Sequence, residues 1–100
     1  MANPKPGKIL IENVIQRGKT YSVDATKYEA ARKALLAVLP AESPGMTVAE
    51  IHARMPAHLP EDLFPGGAKA GWWTKAAQLD LEAKGVIKRE NTKPLRLHRA

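Results

Sequence analysis

The order of apolar and polar residues predicts a β-hairpin near the start of the chain. Residues 8–14 are rich in β-branched and apolar side chains and favour a strand, and residues 16–19 form a turn to a return strand at residues 20–23. A lone hairpin is only marginally stable in water, so we expect it to pack on the rest of the protein, either extending a second sheet or pairing across a dimer. Residues 1–7, with two prolines and a glycine, are predicted to be a disordered lead-in.

Two helices are predicted next. Residues 24–39 place apolar side chains at three- and four-residue steps, and Asp24 or Thr26 can cap the free amides at the start of this helix. The second helix begins at Thr47, which has capping-box spacing to Glu50, and a proline ends it nine residues later at position 56. Both helices are expected to bury one face in a common core.

A third helix and a second hairpin complete the predicted order. Residues 68–84 carry apolar side chains over more than half of the helix circumference, which predicts a helix packed on two sides, and Gly85 ends it. The remaining polar strip of this helix comprises Gly71, Thr74, Lys75, Gln78 and Glu82. Residues 86–90 and 95–99 form the two strands of a C-terminal hairpin.

The connection between the second and third helices, residues 56–67, is rich in proline and glycine. A single helical turn is predicted at residues 60–64, with Pro60 at its first position. Because a long apolar loop without structure is rare in a compact domain, Leu63 and Phe64 are expected to tuck under the core.

These elements predict an α+β fold in a single domain over residues 8–100. It consists of an N-terminal hairpin (8–23), a core of three helices (24–85) and a C-terminal hairpin, or wing (86–99). Two hairpins flanking a helical core are expected to share one hydrophobic interior, since a chain of 100 residues supports a single core.

The junction at residues 81–90, LEAKGVIKRE, resembles the helix-to-wing junction of bacterial winged helix-turn-helix regulators. A leucine and an acid precede the glycine there, and two aliphatic residues follow it. The resemblance covers residues 24–99 and implies a winged-helix domain that binds DNA with its third helix. The whole chain, with residues 63–73, LFPGGAKAGWW, also resembles a small bacterial family of winged-helix type with no assigned function.

The chain departs from the winged-helix pattern in two ways. Its connection between the second and third helices is about twelve residues, whereas the DNA-reading motif normally has a turn of three or four. Its third helix also offers few side chains that read bases. Both departures lower the expectation of sequence-specific binding and leave the predicted fold unchanged.

The charge of the chain favours an anionic partner. Sixteen Lys and Arg residues against ten Asp and Glu residues give a net charge of +6. Residues 68–100 contain eight basic and three acidic residues, whereas residues 24–67 are slightly acidic. We therefore expect non-catalytic binding of double-stranded DNA, in which helix 69–84 faces a groove and a basic wing contacts phosphates. The residues predicted for this site are Lys69, Thr74, Lys75, Gln78, Lys88, Arg89, Lys93, Arg96 and Arg99.

A protein-interaction or dimerisation module without nucleic-acid binding is the alternative. Its predicted interface consists of Trp72, Trp73, Leu63 and Phe64. Geometry places at least one tryptophan in the core, and an exposed one would mark a subunit surface, since large aromatic residues concentrate at interfaces. A third and weaker hypothesis is small-molecule binding beneath the loop at residues 56–67.

Other chemistries lack their residues. The chain has no cysteine, which excludes disulfides and thiol catalysis. His52, His58 and His98 have no partner at metal-ligand spacing, so no metal is expected, and no cofactor or catalytic constellation is recognisable. The glycine-rich segment 66–71 lacks the Gly-Lys-Ser/Thr ending of a nucleotide-binding loop. No apolar stretch suits a signal peptide or a membrane span, so we expect a cytoplasmic protein. Because catalysis needs mutually placed groups that the sequence does not show, we also expect that the protein is not an enzyme.

Overall fold

The computed structural model describes residues 7–100, which form an α+β fold with the predicted order of elements. Within these residues the elements are β1 (Lys8–Glu12), β2 (Thr20–Asp24), α1 (Ala25–Val38), β3 (Met46–Thr47), α2 (Val48–Arg54), α3 (Ala70–Ala83), β4 (Ile87–Glu90) and β5 (Arg96–Arg99). The predicted lead-in, residues 1–7, lies outside the described residues except for Gly7. The three helices, the N-terminal hairpin and the C-terminal hairpin are confirmed.

The strands form two separate antiparallel sheets. β1 pairs with β2, and β5 lies between β3 and β4 in a three-stranded C-terminal sheet. The N-terminal hairpin therefore does not extend the C-terminal sheet, which was one of the two placements expected from sequence. It packs on α1 and α3 instead. β3 is not predicted from sequence, because a strand of two residues has no detectable period.

The starts of α1 and α2 follow from their capping residues. The carboxylate of Asp24 accepts a hydrogen bond from the backbone amide of Lys27 at 2.8 Å, so Asp24 rather than Thr26 caps α1. Thr47 and Glu50 form the predicted capping box at the start of α2, in which each side chain accepts from the other residue's backbone amide.

The connection between α2 and α3 is more ordered than its proline content suggests. α2 passes into a 3-10 helix at Met55–His58, and a second short 3-10 segment covers Pro65–Gly67. Between them, the amide of Phe64 donates to the carbonyl of Pro60 at 2.9 Å, which forms the predicted helical turn. Phe64 is buried and Leu63 partly buried, as predicted, so this connection closes one side of the core.

A single core of apolar side chains lies between α1, α2, α3 and the inner faces of both sheets. Its largest fully buried apolar members are Phe64, Leu35, Ile51, Met55, Leu81, Ile87 and Leu97. They come from three helices, two strands and the connection, so the elements stabilise one another by burying a common apolar surface.

A buried carboxylate at Asp80 joins three elements. Its side chain, 0% exposed, accepts a hydrogen bond from the Tyr28 hydroxyl on α1 and one from the Glu12 backbone amide on β1 at 2.8 Å. Lys84, one turn further along the chain, completes the ion pair at 2.8 Å. Burial is the larger cause, and the hydrogen bond to Asp80 the second, of a pKa of Tyr28 well above its usual range. The hydroxyl therefore stays protonated and donates.

Gly45 permits the close approach of two chain segments beside β5. A Cβ atom at Gly45 would lie 2.1 Å from the carbonyl oxygen of Leu97, and the residue has φ +85°. The Arg96 guanidinium donates to the Gly45 carbonyl at 2.9 Å. The pairing of β3 with β5 therefore depends on the absence of a side chain at this position.

We expect Asp80→Asn to lower the free energy of unfolding by about 2–4 kcal/mol, because it removes the charge to which three donors are directed in a buried site. Denaturant unfolding measures this change. Glu29→Gln is the control: its carboxylate lies 3.6 Å from Arg32 on the surface, and its loss should cost less than about 0.5 kcal/mol. Equal effects of the two substitutions would contradict the role given to Asp80.

We expect Gly45→Ala to destabilise the protein by clearly more than Gly18→Ala. Both glycines have a positive φ, so each substitution carries backbone strain of about 1–2 kcal/mol. At Gly18 a Cβ atom meets nothing within 4 Å, whereas at Gly45 it meets the backbone of Leu97. The difference between the two unfolding free energies isolates the clash, and a difference near zero would refute it.

Candidate functional site

The polar strip predicted to face DNA on α3 is largely buried. Thr74 is 1% exposed and Gln78 is 7% exposed, so neither side chain is free to contact bases. The Thr74 hydroxyl donates to the Ala70 carbonyl at 2.7 Å, and the Gln78 amide donates to Glu82 at 3.1 Å. The prediction that Thr74 and Gln78 face solvent is wrong.

The reason is that neighbours surround α3 on more sides than its periodicity indicates. α1, β1, β4 and α2 all contact this helix. At its first turn, a Cβ atom added to Gly71 would lie 3.8 Å from the imidazole of His52 on α2. The spacing of polar residues along a helix shows which face they share. It does not show whether other elements, here α2 and β4, cover that face.

The cations of the wing lie on both faces of the C-terminal sheet. β4 pairs with β5 so that Lys88 lies opposite His98, and Arg89 lies opposite Leu97. Leu97 is fully buried, so Arg89 is on the inner face and Lys88 on the outer face. The same alternation puts Arg99 on the inner face with Ile87, and Arg96 on the outer face with Glu90. The expectation that these cations line one face is therefore wrong.

Arg89 is neutralised by α3. Its guanidinium forms a forked pair with the Glu82 carboxylate, in which Nη2 donates to Oε2 at 3.1 Å. The Glu82 side chain is 3% exposed, and its hydrogen bond raises the pKa of Arg89. This pair fastens β4 to α3, so Arg89 holds the fold together rather than presenting a free charge.

Arg96 and Arg99 also form hydrogen bonds to backbone carbonyls of the protein. Arg96 donates to the Gly45 carbonyl, and Arg99 donates through Nε to the Leu39 carbonyl at 3.1 Å. Four predicted contact residues remain exposed and form neither an ion pair nor a side-chain hydrogen bond within residues 7–100, namely Lys69, Lys75, Lys88 and Lys93.

The outer face of the wing carries a partly neutralised cluster. The Glu90 carboxylate accepts from the Ser43 hydroxyl and lies 3.1 Å from His98 Nε2. The hydrogen bond from Ser43, and to a smaller extent the contact with His98, lower the pKa of Glu90. Glu90 therefore keeps a negative charge on the same face as Lys88 and Arg96. A phosphate approaching this face would meet that charge.

The predicted interface residues separate into core and surface. Phe64 is 2% exposed and Trp73 is 7% exposed, and their rings meet edge to face with centroids 6.2 Å apart. Both belong to the core, so their assignment to an interface is wrong, while Leu63 is partly buried against the same core. Trp72, in contrast, is 56% exposed, and its ring packs edge to face on that of Trp73 with the ring centroids 4.9 Å apart.

An open groove beside Trp72 lies between α3 and the N-terminal hairpin. The Trp72 groove has a volume of about 350 Å³ and is lined by Ile11, Glu12, Asn13, Tyr21, Ser22, Val23, Trp72, Lys75, Ala76 and Leu79. Tyr21 and Trp72 are its exposed aromatic residues, and Ile11, Val23 and Leu79 are buried. The groove thus combines an apolar floor with a rim of a few polar groups, which is typical of a binding site.

The exposed apolar side chains of the protein gather at this end of the molecule. Among residues 7–100 the large hydrophobic side chains that are exposed are Leu10, Ile15, Tyr21 and Trp72. Three belong to the N-terminal hairpin, and the fourth borders the groove that the hairpin forms with α3. Exposed apolar groups gathered in this way mark a contact surface more often than isolated ones do.

Sequence reasoning did not identify Tyr21 as part of a site, and it linked the hairpin to a partner only through the alternative of pairing across a dimer. The strand register places Ile9, Ile11, Tyr21 and Val23 on one face of the hairpin, and this alternation is visible in the sequence. It predicts an inner face but not the partner against which that face packs. The groove exists because the hairpin docks on α3, which no local pattern encodes.

A second hollow corresponds to the hypothesis of a small-molecule site beneath the loop at residues 56–67. It is an open trough of about 780 Å³ between α1 and that loop, bordered by Lys33, His58 and Leu63. Its floor is made mainly of alanines of α1. Ala34 is the buried residue of its lining, whereas Ile11, Val23 and Leu79 form a buried apolar floor in the Trp72 groove, so the geometry of the trough supports a site less well.

Within residues 7–100, no three His, Asp or Glu side chains are grouped so that they would hold a metal ion. No helix in the described part of the chain has the length and apolarity needed to cross a bilayer.

Comparison with known proteins yields one match. No curated protein and no solved structure matches the chain. Residues 8–97 match DUF6958, a family of unknown function. This match extends from the first strand of the N-terminal hairpin to the last strand of the wing, and the protein therefore belongs to the DUF6958 family.

Proposed function

We propose that the protein is a non-catalytic protein-interaction module that binds its partner at the Trp72 groove. The observation that carries this proposal is the 56% exposure of Trp72 beside a groove with a buried apolar floor. A tryptophan held in this way presents a large apolar surface to solvent. Covering it with a partner's side chains is favourable, since aromatic residues contribute strongly to binding energy at interfaces.

Trp72 also has the rigidity that a contact residue needs. Its ring leans edge to face on Trp73, which is buried and packs in turn on Phe64. The indole is therefore supported from the core while its outer side remains free. A pre-positioned ring loses little conformational entropy on binding, which favours affinity.

The polar groups around the groove suit a peptide or protein surface. Lys75 offers an ammonium group, and the polar residues Glu12, Asn13 and Ser22 of the hairpin also border the groove. Lys75 is a single cation among the lining residues, so the groove is not built to select polyanions as such. An apolar centre with a mixed polar rim is the usual composition of a protein interface.

Binding of double-stranded DNA is the second proposal. The exposed lysines favour it, but only as binding that does not depend on the DNA sequence. Lys69, Lys75, Lys88 and Lys93 are exposed, and the net charge is +6. Such charges attract phosphates without reading bases. The burial of Thr74 argues against base readout by α3.

Two further proposals concern classification and location. We propose a relationship to winged-helix domains, which the order of three helices followed by a C-terminal hairpin supports. We also propose a cytoplasmic location, which the absence of cysteine supports, since a domain without disulfides needs no oxidising compartment.

Trp72→Ala is expected to weaken binding of groove ligands at least about tenfold, because truncating an aromatic residue that acts as a binding hot spot costs about 2 kcal/mol or more. The ligands are peptides selected from a random displayed library on the wild-type protein and then synthesised with a fluorescent label. Fluorescence polarisation measures their affinity. Lys88→Ala, on the outer face of the wing, is the control and should leave the affinity unchanged. The proposal fails if no peptide is selected or if the selected peptides bind the Trp72→Ala variant as well as the wild type.

We expect a labelled DNA duplex to bind with equal affinity whatever its sequence. The slope of log affinity against log salt should be no steeper than about −4, because four lysines of the predicted DNA-binding set are free to contact phosphates. Polarisation titrations at several salt concentrations provide both quantities. A duplex preferred by a factor of about a thousand or more would identify a specific DNA-binding protein and overturn the preference for the interaction module.

A further inference from the structure

The outer edge of β2 is open in the described part of the chain. The amide of Glu12 points away from the hairpin and donates to Asp80, so the opposing pair Glu12 and Thr20 is of the kind that exchanges no hydrogen bonds within the hairpin. Because the two kinds of pair alternate along an antiparallel ladder, the pairs of Ser22 with Leu10 and of Asp24 with Lys8 also exchange no hydrogen bonds within the hairpin. Thr20 and Ser22 therefore direct their amides and carbonyls outward, and no backbone group among residues 7–100 pairs with them.

This edge lacks the protection that the other sheet has. The C-terminal sheet ends on one side in β3, which has two residues, and on the other in β4, which contains Lys88 and Arg89. Short strands and charged residues discourage pairing with other chains. β2 reads Thr-Tyr-Ser-Val-Asp over residues 20–24, without lysine, proline or glycine, and its edge is free to take another strand.

We propose that a second copy of this chain adds its own β2 to this edge in antiparallel orientation. The result is a dimer with a continuous four-stranded sheet, β1-β2-β2-β1. This inference rests on the proposed function, since it identifies the partner of the surface next to the Trp72 groove. Twofold dimers with identical contact surfaces are the commonest oligomers, and antiparallel strand addition is a recurrent way to form them.

The sequence of β2 is complementary to itself in one register. With Ser22 on the twofold axis, each Ser22 lies opposite the other, and both exchange backbone hydrogen bonds through their outward groups. Tyr21 then lies opposite Val23 of the partner subunit, which makes an aromatic–β-branched pair of the stabilising type. Thr20 lies opposite Asp24 of the partner subunit, so no two like charges face each other.

The same register brings the exposed aromatic residues of both copies to the seam of the dimer. A twofold axis through an antiparallel strand pair is perpendicular to the sheet, so the inner faces of both hairpins lie on the same side. The two Tyr21 rings lie on that side, next to the seam between the two β2 strands. Both Trp72 grooves, which include Tyr21 and Ser22, border this seam. Dimerisation thus places the exposed Tyr21 and Trp72 side chains of both copies on one side of the joined sheet.

Ser22→Lys tests the proposal. It places two lysines opposite each other on the axis, and we expect the dissociation constant of the dimer to rise at least about tenfold, because like charges directly opposite destabilise a strand pair. Analytical ultracentrifugation over a range of concentrations measures the equilibrium between species of 10.9 kDa and twice that mass. Leu10→Lys is the matched control: Leu10 pairs with Ser22 on the same outer face. Its copies would lie roughly 14 Å apart, three strand spacings, so this variant should still dimerise.

A cross-link provides a second measurement that does not depend on destabilisation. Because the chain has no cysteine, Ser22→Cys introduces a single thiol at the axis. Opposing residues of this pair type have Cα atoms about 5.5 Å apart, which fits a disulfide. We expect Ser22→Cys to oxidise rapidly to a covalent dimer, and Leu10→Cys to do so far more slowly.

The outcomes separate this inference from the proposed function. A chain that stays monomeric at the highest attainable concentration, or a dimer that Ser22→Lys leaves intact, overturns the inference. If such a protein still binds the selected peptides in a manner that requires Trp72, the proposed function stands and its partner is another protein. A dimer sensitive to Ser22→Lys, together with cross-linking specific to Ser22→Cys, supports the second copy as the partner.

Discussion

The buried carboxylate of Asp80 is the interaction on which the arrangement of this protein depends. It lies in the last turn of α3 and accepts hydrogen bonds from the Tyr28 hydroxyl and the Glu12 backbone amide, while Lys84 balances its charge. A carboxylate without water is costly unless donors surround it, so these three partners must converge. Their convergence fixes α1 and the N-terminal hairpin against α3 in one position. The groove between the hairpin and α3 is a consequence of that docking.

A second buried carboxylate performs the equivalent task at the other side of α3. Glu82 holds Arg89 of β4, and Gln78 donates to the same carboxylate. α3 is therefore connected to the hairpin by one acid and to the wing by another, two residues apart in sequence. This explains why the polar strip of α3 is covered: its side chains form hydrogen bonds and ion pairs that hold neighbouring elements in place. What the helix leaves exposed is an indole and a lysine, Trp72 and Lys75.

The chemistry of the surface follows from these connections. The strongest cationic candidates of the wing are used internally, Arg89 by Glu82 and Arg99 by the Leu39 carbonyl. The cations of the predicted DNA-binding set that remain free on the surface are lysines. They attract phosphates, but they are not arranged to read bases. The apolar groups that remain uncovered are grouped near the hairpin, beside a strand edge that pairs with nothing in residues 7–100. Both features favour contacts with protein.

Local patterns in the sequence determined the elements and their ends. The capping box at Thr47 and the periodicity of residues 24–39 predict α1 and α2, because helix starts and amphipathic faces depend on residues within one or two turns. The same locality explains what the sequence left undecided. Spacing places Gln78 and Arg89 on particular faces, but whether a face meets solvent or another element depends on contacts between residues distant in the chain. Only the tertiary structure decided that Thr74 is buried, that Tyr21 meets Trp72 across a groove, and that a buried acid binds the hairpin to α3.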